Sequence, residues 1–299
     1  MEPPYDPHEP ALATFEPRPT TPGFDLRRDS FTLTDLLSRA SDAWSRDLGA
    51  WVLAMLLYGL IGMGVPTVLG FVWGIFGAFQ ESGTGGAFQM IDWFVQGLLQ
   101  VVQLVLGAIF TLGLWAMAMR GLHGQPVTLG ILFSQLSKIW KYVLQALTIF
   151  AGIVMIVAPI LLIVFLAFVG PVDRSTPMDE ITDKAGMPLL IAFGILLPLY
   201  VYIVAGIAFM QIELAFNDDV GPVESILISW RIARGKRLRI IGVGLIAVLI
   251  WTGSAMLCGI GLLFGGPFVT LLVGALYLAL RNGADVPLAN TASTLGHRP

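Results

Sequence analysis

The chain has 299 residues, of which 56% are hydrophobic and only 12% charged, and its mean hydropathy is +0.80. A soluble domain spends about a quarter of its residues on Asp, Glu, Lys and Arg, so this composition excludes an ordinary water-soluble fold. The lone Cys258 excludes an intrachain disulfide, and a net charge of −3 gives no reason to expect a nucleic-acid partner.

Residues 1–30 open with prolines at 3, 4, 7, 10, 17, 19 and 22 and few apolar residues, which predicts a disordered tail. This start also lacks the basic and early apolar regions of a cleavable signal peptide. A membrane domain is expected over 31–281 and a second disordered tail over 282–299. Four stretches in that domain carry no charge, namely Leu48–Gln80, Trp93–Met119, Tyr142–Val172 and Ala185–Ile212. A fifth, Ile240–Leu280, would be about 61 Å long as one helix, twice the roughly 30 Å of a bilayer's hydrocarbon. It must fold back once, and the Gly-rich segment from Cys258 to Pro267 is the expected place. Six transmembrane helices result.

A short pattern precedes each pair of spans. Leu36-Leu37-Ser38 leading to Trp44 recurs as Leu132-Phe133-Ser134 leading to Trp140, and again as Leu227-Ile228-Ser229-Trp230. The first two copies show helical period. Leu33, Leu37, Ala40, Trp44 and Leu48 make one apolar stripe, and Leu129, Leu132, Phe133, Leu136, Ile139, Trp140 and Val143 make another, with Ser134, Gln135, Ser137, Lys138 and Lys141 opposite. Val223, Ile226, Leu227 and Trp230 form a third. Each predicts a helix lying in the membrane interface, so the expected fold is all-α: three repeats of an interfacial amphipathic helix plus a transmembrane hairpin, at about 31–119, 126–213 and 222–281.

Two spans separate successive copies, which puts all three on one side of the membrane. Fifteen of the 17 Lys and Arg fall on that side, and only Arg174 and Lys184 fall opposite. Cytoplasmic loops accumulate basic residues, so both termini are expected on the cytoplasmic side of the membrane.

After the fourth span come Asn217-Asp218-Asp219, Gly221-Pro222-Val223-Glu224-Ser225, Ser229-Trp230 and Gly235-Lys236, followed by Gly261, Pro267 and Tyr277 in the last hairpin. This arrangement resembles bacterial inner-membrane proteins of the YciC-like group and the membrane domain attached to some glycerophosphodiester phosphodiesterases. The resemblance implies a six-span fold in a bacterial inner membrane. It implies no phosphodiesterase chemistry, because the soluble domain carrying that chemistry has no counterpart here.

Catalytic, cofactor and metal residues are not expected. His8, His123 and His297 fall in tails or a loop, and Ser254 has no histidine or lysine partner at membrane depth. The five uncharged runs hold no aspartate. Ser254 and its small neighbours instead predict close helix contact.

Two polar features remain. Asp92, Gln96, Gln100 and Gln103 share one face of the second span; hydrogen bonding to neighbouring helices is the expected role, and a polar path the alternative. The run Arg231, Arg234, Lys236, Arg237 and Arg239 lies beside Gln211, Glu213, Asp218, Asp219 and Glu224. Its expected role is to hold the loop inside, with contact to anionic lipid or partner proteins following from it. The leading function is therefore a non-enzymatic membrane-organising or accessory protein with lipid or protein partners. The alternative is a transporter or channel for a small uncharged or amphiphilic solute.

Overall fold

The computed structural model describes residues 24–80, 87–168, 193–194, 196–257 and 260–287. Every regular element among the described residues is a helix. Helix α1 spans Leu33–Arg46; α2 spans Leu48–Leu57 and runs through a π-helical stretch, Tyr58–Gly64, into α3, Val65–Gln80. Then come α4, Ala87–Leu122; α5, Leu129–Leu132; a 3₁₀ turn, Leu136–Lys138; and α6, Ile139–Phe168. The fourth span, Leu196–Phe216, ends in α7, Met210–Phe216, and is followed by α8, Pro222–Ala233, α9, Arg237–Met256, and α10, Ile260–Arg281.

Six of these helices are long and apolar enough to cross a membrane: Leu48–Ile75, Ile91–Leu122, Leu129–Ile160, Leu196–Phe216, Arg237–Met256 and Ile260–Arg281. Their burial alternates. The second, fourth and sixth spans form the centre, whereas the first, third and fifth expose most of their surface. Helix α10 is the axis, packing against α1, α2, α4 and α9. From Gly265 to Arg281 most of its side chains are buried on every face, as expected of an all-round apolar helix.

Glycine lets these helices approach. A Cβ at Gly261 would overlap the Ser254 carbonyl, one at Gly265 the Ser254 hydroxyl, and one at Gly266 the Met55 side chain. Small residues around Ser254 thus give close helix contact, as their composition predicts. The last hairpin breaks at the start of the expected Gly-rich segment. Helix α9 ends at Met256 and α10 starts at Ile260, so Gly265, Gly266 and Pro267 lie inside the sixth span.

Helix α1 begins on a reciprocal cap. The Asp35 N–H donates to Thr32 Oγ1 (3.3 Å), and the Thr32 N–H donates to Asp35 Oδ2 (2.7 Å). The bonds that the Thr32 N–H and the Thr32 hydroxyl (2.8 Å) donate to the Asp35 carboxyl hold it below its usual range. Leu36, Ala40 and Ala43 form its buried face.

The second copy of the pattern departs from the expected continuous helix. Residues 129–138 form one α-turn and one 3₁₀ turn before α6 begins. The Ser134 hydroxyl donates back to the Ile131 carbonyl (2.7 Å), a local bond that competes with helix continuation. The side chains of Gln135 and Lys138, expected on a solvent face, are buried, while Phe133, Leu136 and Trp140 are exposed.

The packed domain also extends past both expected limits. Phe24 is buried, and Asn282 Nδ2 donates to the carbonyls of Phe24 and Leu26 (3.0 and 3.1 Å). Ala284 and Val286 are buried as well. Residues 24–30 and 282–287, expected in disordered tails, therefore cap one end of the bundle; 1–23 and 288–299 lie outside the described residues.

Candidate functional site: a buried charge network, a basic cleft and a glutamine face

Charge concentrates at the end of the bundle capped by the terminal segments. Glu213, in α7, is fully buried, and Arg281, the last residue of α10, is nearly so. Arg281 Nη2 donates to Glu213 Oε1 (2.9 Å) and Arg281 Nε to Glu213 Oε2 (3.2 Å), which is the two-pronged geometry a guanidinium favours. The Tyr277 hydroxyl donates to Glu213 Oε2 (2.5 Å), and Asn217 Nδ2 donates to Oε1 (3.2 Å). Arg281 also donates to the Pro287 carbonyl through Nη1 and Nη2 (3.0 and 2.9 Å). One carboxylate thus joins the fourth span, the sixth span and the C-terminal segment. The sequence reading marked Glu213 and Tyr277 separately and missed their partner Arg281, whose place at the very end of an uncharged run resembles a membrane boundary.

Two lysines close the foot of the fourth span. Lys138 Nζ donates to the carbonyls of Leu214 and Ala215 (3.1 and 2.9 Å) and pairs with Asp218 Oδ1 (2.6 Å). Lys141 Nζ donates to the carbonyls of Asp218 and Val220 (2.9 and 3.1 Å). The last carbonyls of a helix have no partner within the helix and carry its negative pole, so cations settle there. This attraction turns Lys138 inward and accounts for the broken second copy.

The third copy's serines satisfy a second break, at residues 208–209 of the fourth span. The Ser229 hydroxyl accepts from the Phe209 N–H (3.1 Å) and donates to the Gly206 carbonyl (3.0 Å). Gln145 Nε2 donates to Ser225 Oγ (2.5 Å) and to the Met210 carbonyl (3.2 Å). Helix α8 therefore turns its serines toward the protein and exposes Val223, Leu227 and Trp230.

The basic run forms an open cleft of about 700 Å³ with Tyr202 and Trp230. The Arg237 guanidinium lies 3.6 Å from the Tyr202 ring centre and 4.1 Å from that of Trp230, within cation–π range. Lys236 pairs with Asp29 of the N-terminal segment (2.8 Å), and Arg239 faces the ring of Phe31 at 5.4 Å. Arg231, Arg234 and Arg239 are exposed. Gly235, at φ +76°, makes the turn that brings α8 and α9 together here.

The glutamine face departs from its expected role. Gln96, Gln100 and Gln103 are exposed, and no interhelical hydrogen bond holds them among the described residues. Gln100 and Gln103 line an open cleft of about 560 Å³ together with Tyr58, Thr67 and Tyr142. The cleft borders the π-helical stretch of the first span, an irregularity that often accompanies functional sites. At the far end of the same face, Asp92 Oδ1 accepts from Trp73 Nε1 (2.8 Å).

His123 lies beside the second span's foot, stacked on Phe216 with ring centres 5.8 Å apart. Nδ1 is 2.6 Å from the Met119 carbonyl, and Nε2 is buried with no partner. Burial holds its pKa below the usual value of 6.5. Among the described residues, no group of three or more His, Cys, Asp or Glu is gathered closely enough to hold a metal ion.

These features define a multi-span helical membrane protein, built around three central spans and sealed at one end by a buried ion pair. Residues 83–294 match a domain of unknown function, DUF7847, and the chain belongs to that family. No curated protein and no solved structure matches it.

Proposed function

We propose that this protein is a non-enzymatic membrane-organising or accessory protein that holds anionic lipid headgroups at its basic end. The observation that carries the reading is the cleft of Arg231, Arg234, Lys236, Arg237 and Arg239 beside Tyr202 and Trp230. Aromatic rings favour the headgroup layer, and each basic residue near an anionic leaflet contributes about 1 kcal/mol. The 15-to-2 distribution of Lys and Arg supports a cytoplasmic position for this end, and a bacterial inner membrane is the setting we propose. The alternation of peripheral and central spans supports three parallel hairpin units, in keeping with the resemblance to YciC-like proteins.

The test is lipid retention in nanodiscs containing phosphatidylglycerol, read by native mass spectrometry. Neutralising Arg234, Lys236 and Arg237 together to Gln removes about 3 kcal/mol, roughly a hundredfold in affinity. Undiminished retention by the triple variant, at every lipid concentration, rules the reading out.

A second reading is a transporter or channel for an uncharged or amphiphilic solute. Its support is the exposure of Gln100 and Gln103 in the cleft between the first three spans. A glutamine-lined path suits neutral polar groups and gives an ion no charged partner.

A further inference from the structure

We infer that the glutamine face is one section of a polar track, open to lipid, along which phospholipid headgroups cross between leaflets. The inference rests on the second reading above and names its substrate: the headgroup of a membrane phospholipid, its acyl chains remaining in the surrounding hydrocarbon.

Two clefts that share Tyr142, together with one helix face, carry the track. The cleft holding Gln100 and Gln103 is bounded on its basic side by Tyr142. Tyr142 also bounds a second open cleft, of about 260 Å³, which contains Gln211. Gln211 Nε2 donates to the Tyr142 hydroxyl (3.4 Å), joining the two clefts. In the other direction the same helix face carries Gln96 and then Asp92, which Trp73 binds. Polar groups therefore follow one another from Asp92 through the three glutamines to Tyr142 and Gln211.

The track has the length of a bilayer. Tyr142 stands beside Thr111 of the second span. Asp92 and Thr111 are 19 residues apart, about 29 Å along a helix, against roughly 30 Å of hydrocarbon. Its ends thus fall near the two headgroup layers and Gln100 and Gln103 between them.

The chemistry suits a headgroup. An exposed amide inside hydrocarbon is unfavourable unless water or another polar group covers it. Gln96, Gln100 and Gln103 are exposed, and a file of such amides offers both donors and acceptors to a passing phosphate ester or ammonium. The glutamines carry no charge that would hold either group in place. The alternative occupant of the same groove, a water-soluble neutral solute, is separated by experiment.

The experiment reconstitutes the full chain in phosphatidylcholine vesicles carrying a trace of phosphatidylcholine labelled with a nitrobenzoxadiazole dye, and adds dithionite outside. In protein-free vesicles bleaching stops once the outer leaflet is spent. With the wild-type chain the inner pool should be lost about tenfold faster or more. Gln100→Leu with Gln103→Leu should return the rate to the protein-free level, and Tyr142→Phe should reduce it. Both glutamines are at the surface, so the double variant should elute and melt like the wild type, which is checked in parallel.

A parallel arm measures glycerol efflux by light scattering. A wild-type chain that moves no labelled lipid overturns the inference. Glycerol flux that depends on Gln100 would then leave the transport reading standing, and its absence would remove that reading too. Lipid movement that survives the double variant unchanged also overturns the track.

Discussion

Removing Arg281 tests whether the ion pair at the base of the bundle holds the fourth and sixth spans together. Arg281→Met keeps the length of the side chain and deletes the guanidinium. Glu213 then sits with no exposure and only the Tyr277 hydroxyl and Asn217 amide as donors. Breaking a buried pair from one side is destabilising by about 3–5 kcal/mol, because the remaining charge has no compensation. Part of that loss is the release of the Pro287 carbonyl, to which Arg281 donates twice. Glu213→Leu combined with Arg281→Met removes both charges, and such replacements of a buried pair by apolar residues are often neutral. The Tyr277 hydroxyl is then left unpaired, an expected penalty of about 1–3 kcal/mol. The double variant should therefore be more stable than Arg281→Met alone, with a large favourable coupling between the two sites. Thermal unfolding in detergent or nanodiscs, followed for wild type, both single variants and the double, measures that coupling. Additive losses in the double variant, or an Arg281→Met protein as stable as wild type, would show that the pair does not bear on stability and refute this reasoning.

Two further predictions concern pH dependence and topology. His123 is held neutral by burial, so the folded state resists protonation that the unfolded chain accepts; stability should fall as pH drops below 6.5. His123→Phe should flatten that part of the unfolding profile, and an unchanged slope between the variants would contradict the assignment. For topology, cysteines introduced near positions 125 and 225, in a Cys258→Ser background, should label only after the membrane is permeabilised, and one at position 180 should label from outside. A protected position 180 would overturn the orientation.

The membrane class and the number of spans were legible in the sequence alone, because they follow from composition over long windows. A run such as Trp93–Met119 has no charge to place in water, whatever its neighbours do. The amphipathic α1 was legible for a related reason, since its apolar period is local, although the face it buries centres on Leu36, Ala40 and Ala43. The contacts between elements were not. Glu213 and Arg281 stand 68 residues apart, and each alone reads as an ordinary boundary charge; only the crossing of the fourth and sixth spans makes them partners. Lys138 likewise reads as solvent-facing until the carbonyl end of the fourth span is placed beside it, and its pull then breaks the helix that the local period predicts. The glutamines show the opposite case. Their shared face is set by helical period, but whether they meet a neighbour or stand open depends on how far the first and third spans diverge from the second. Periodicity places a side chain on one face of its own helix; only tertiary packing decides what that face meets.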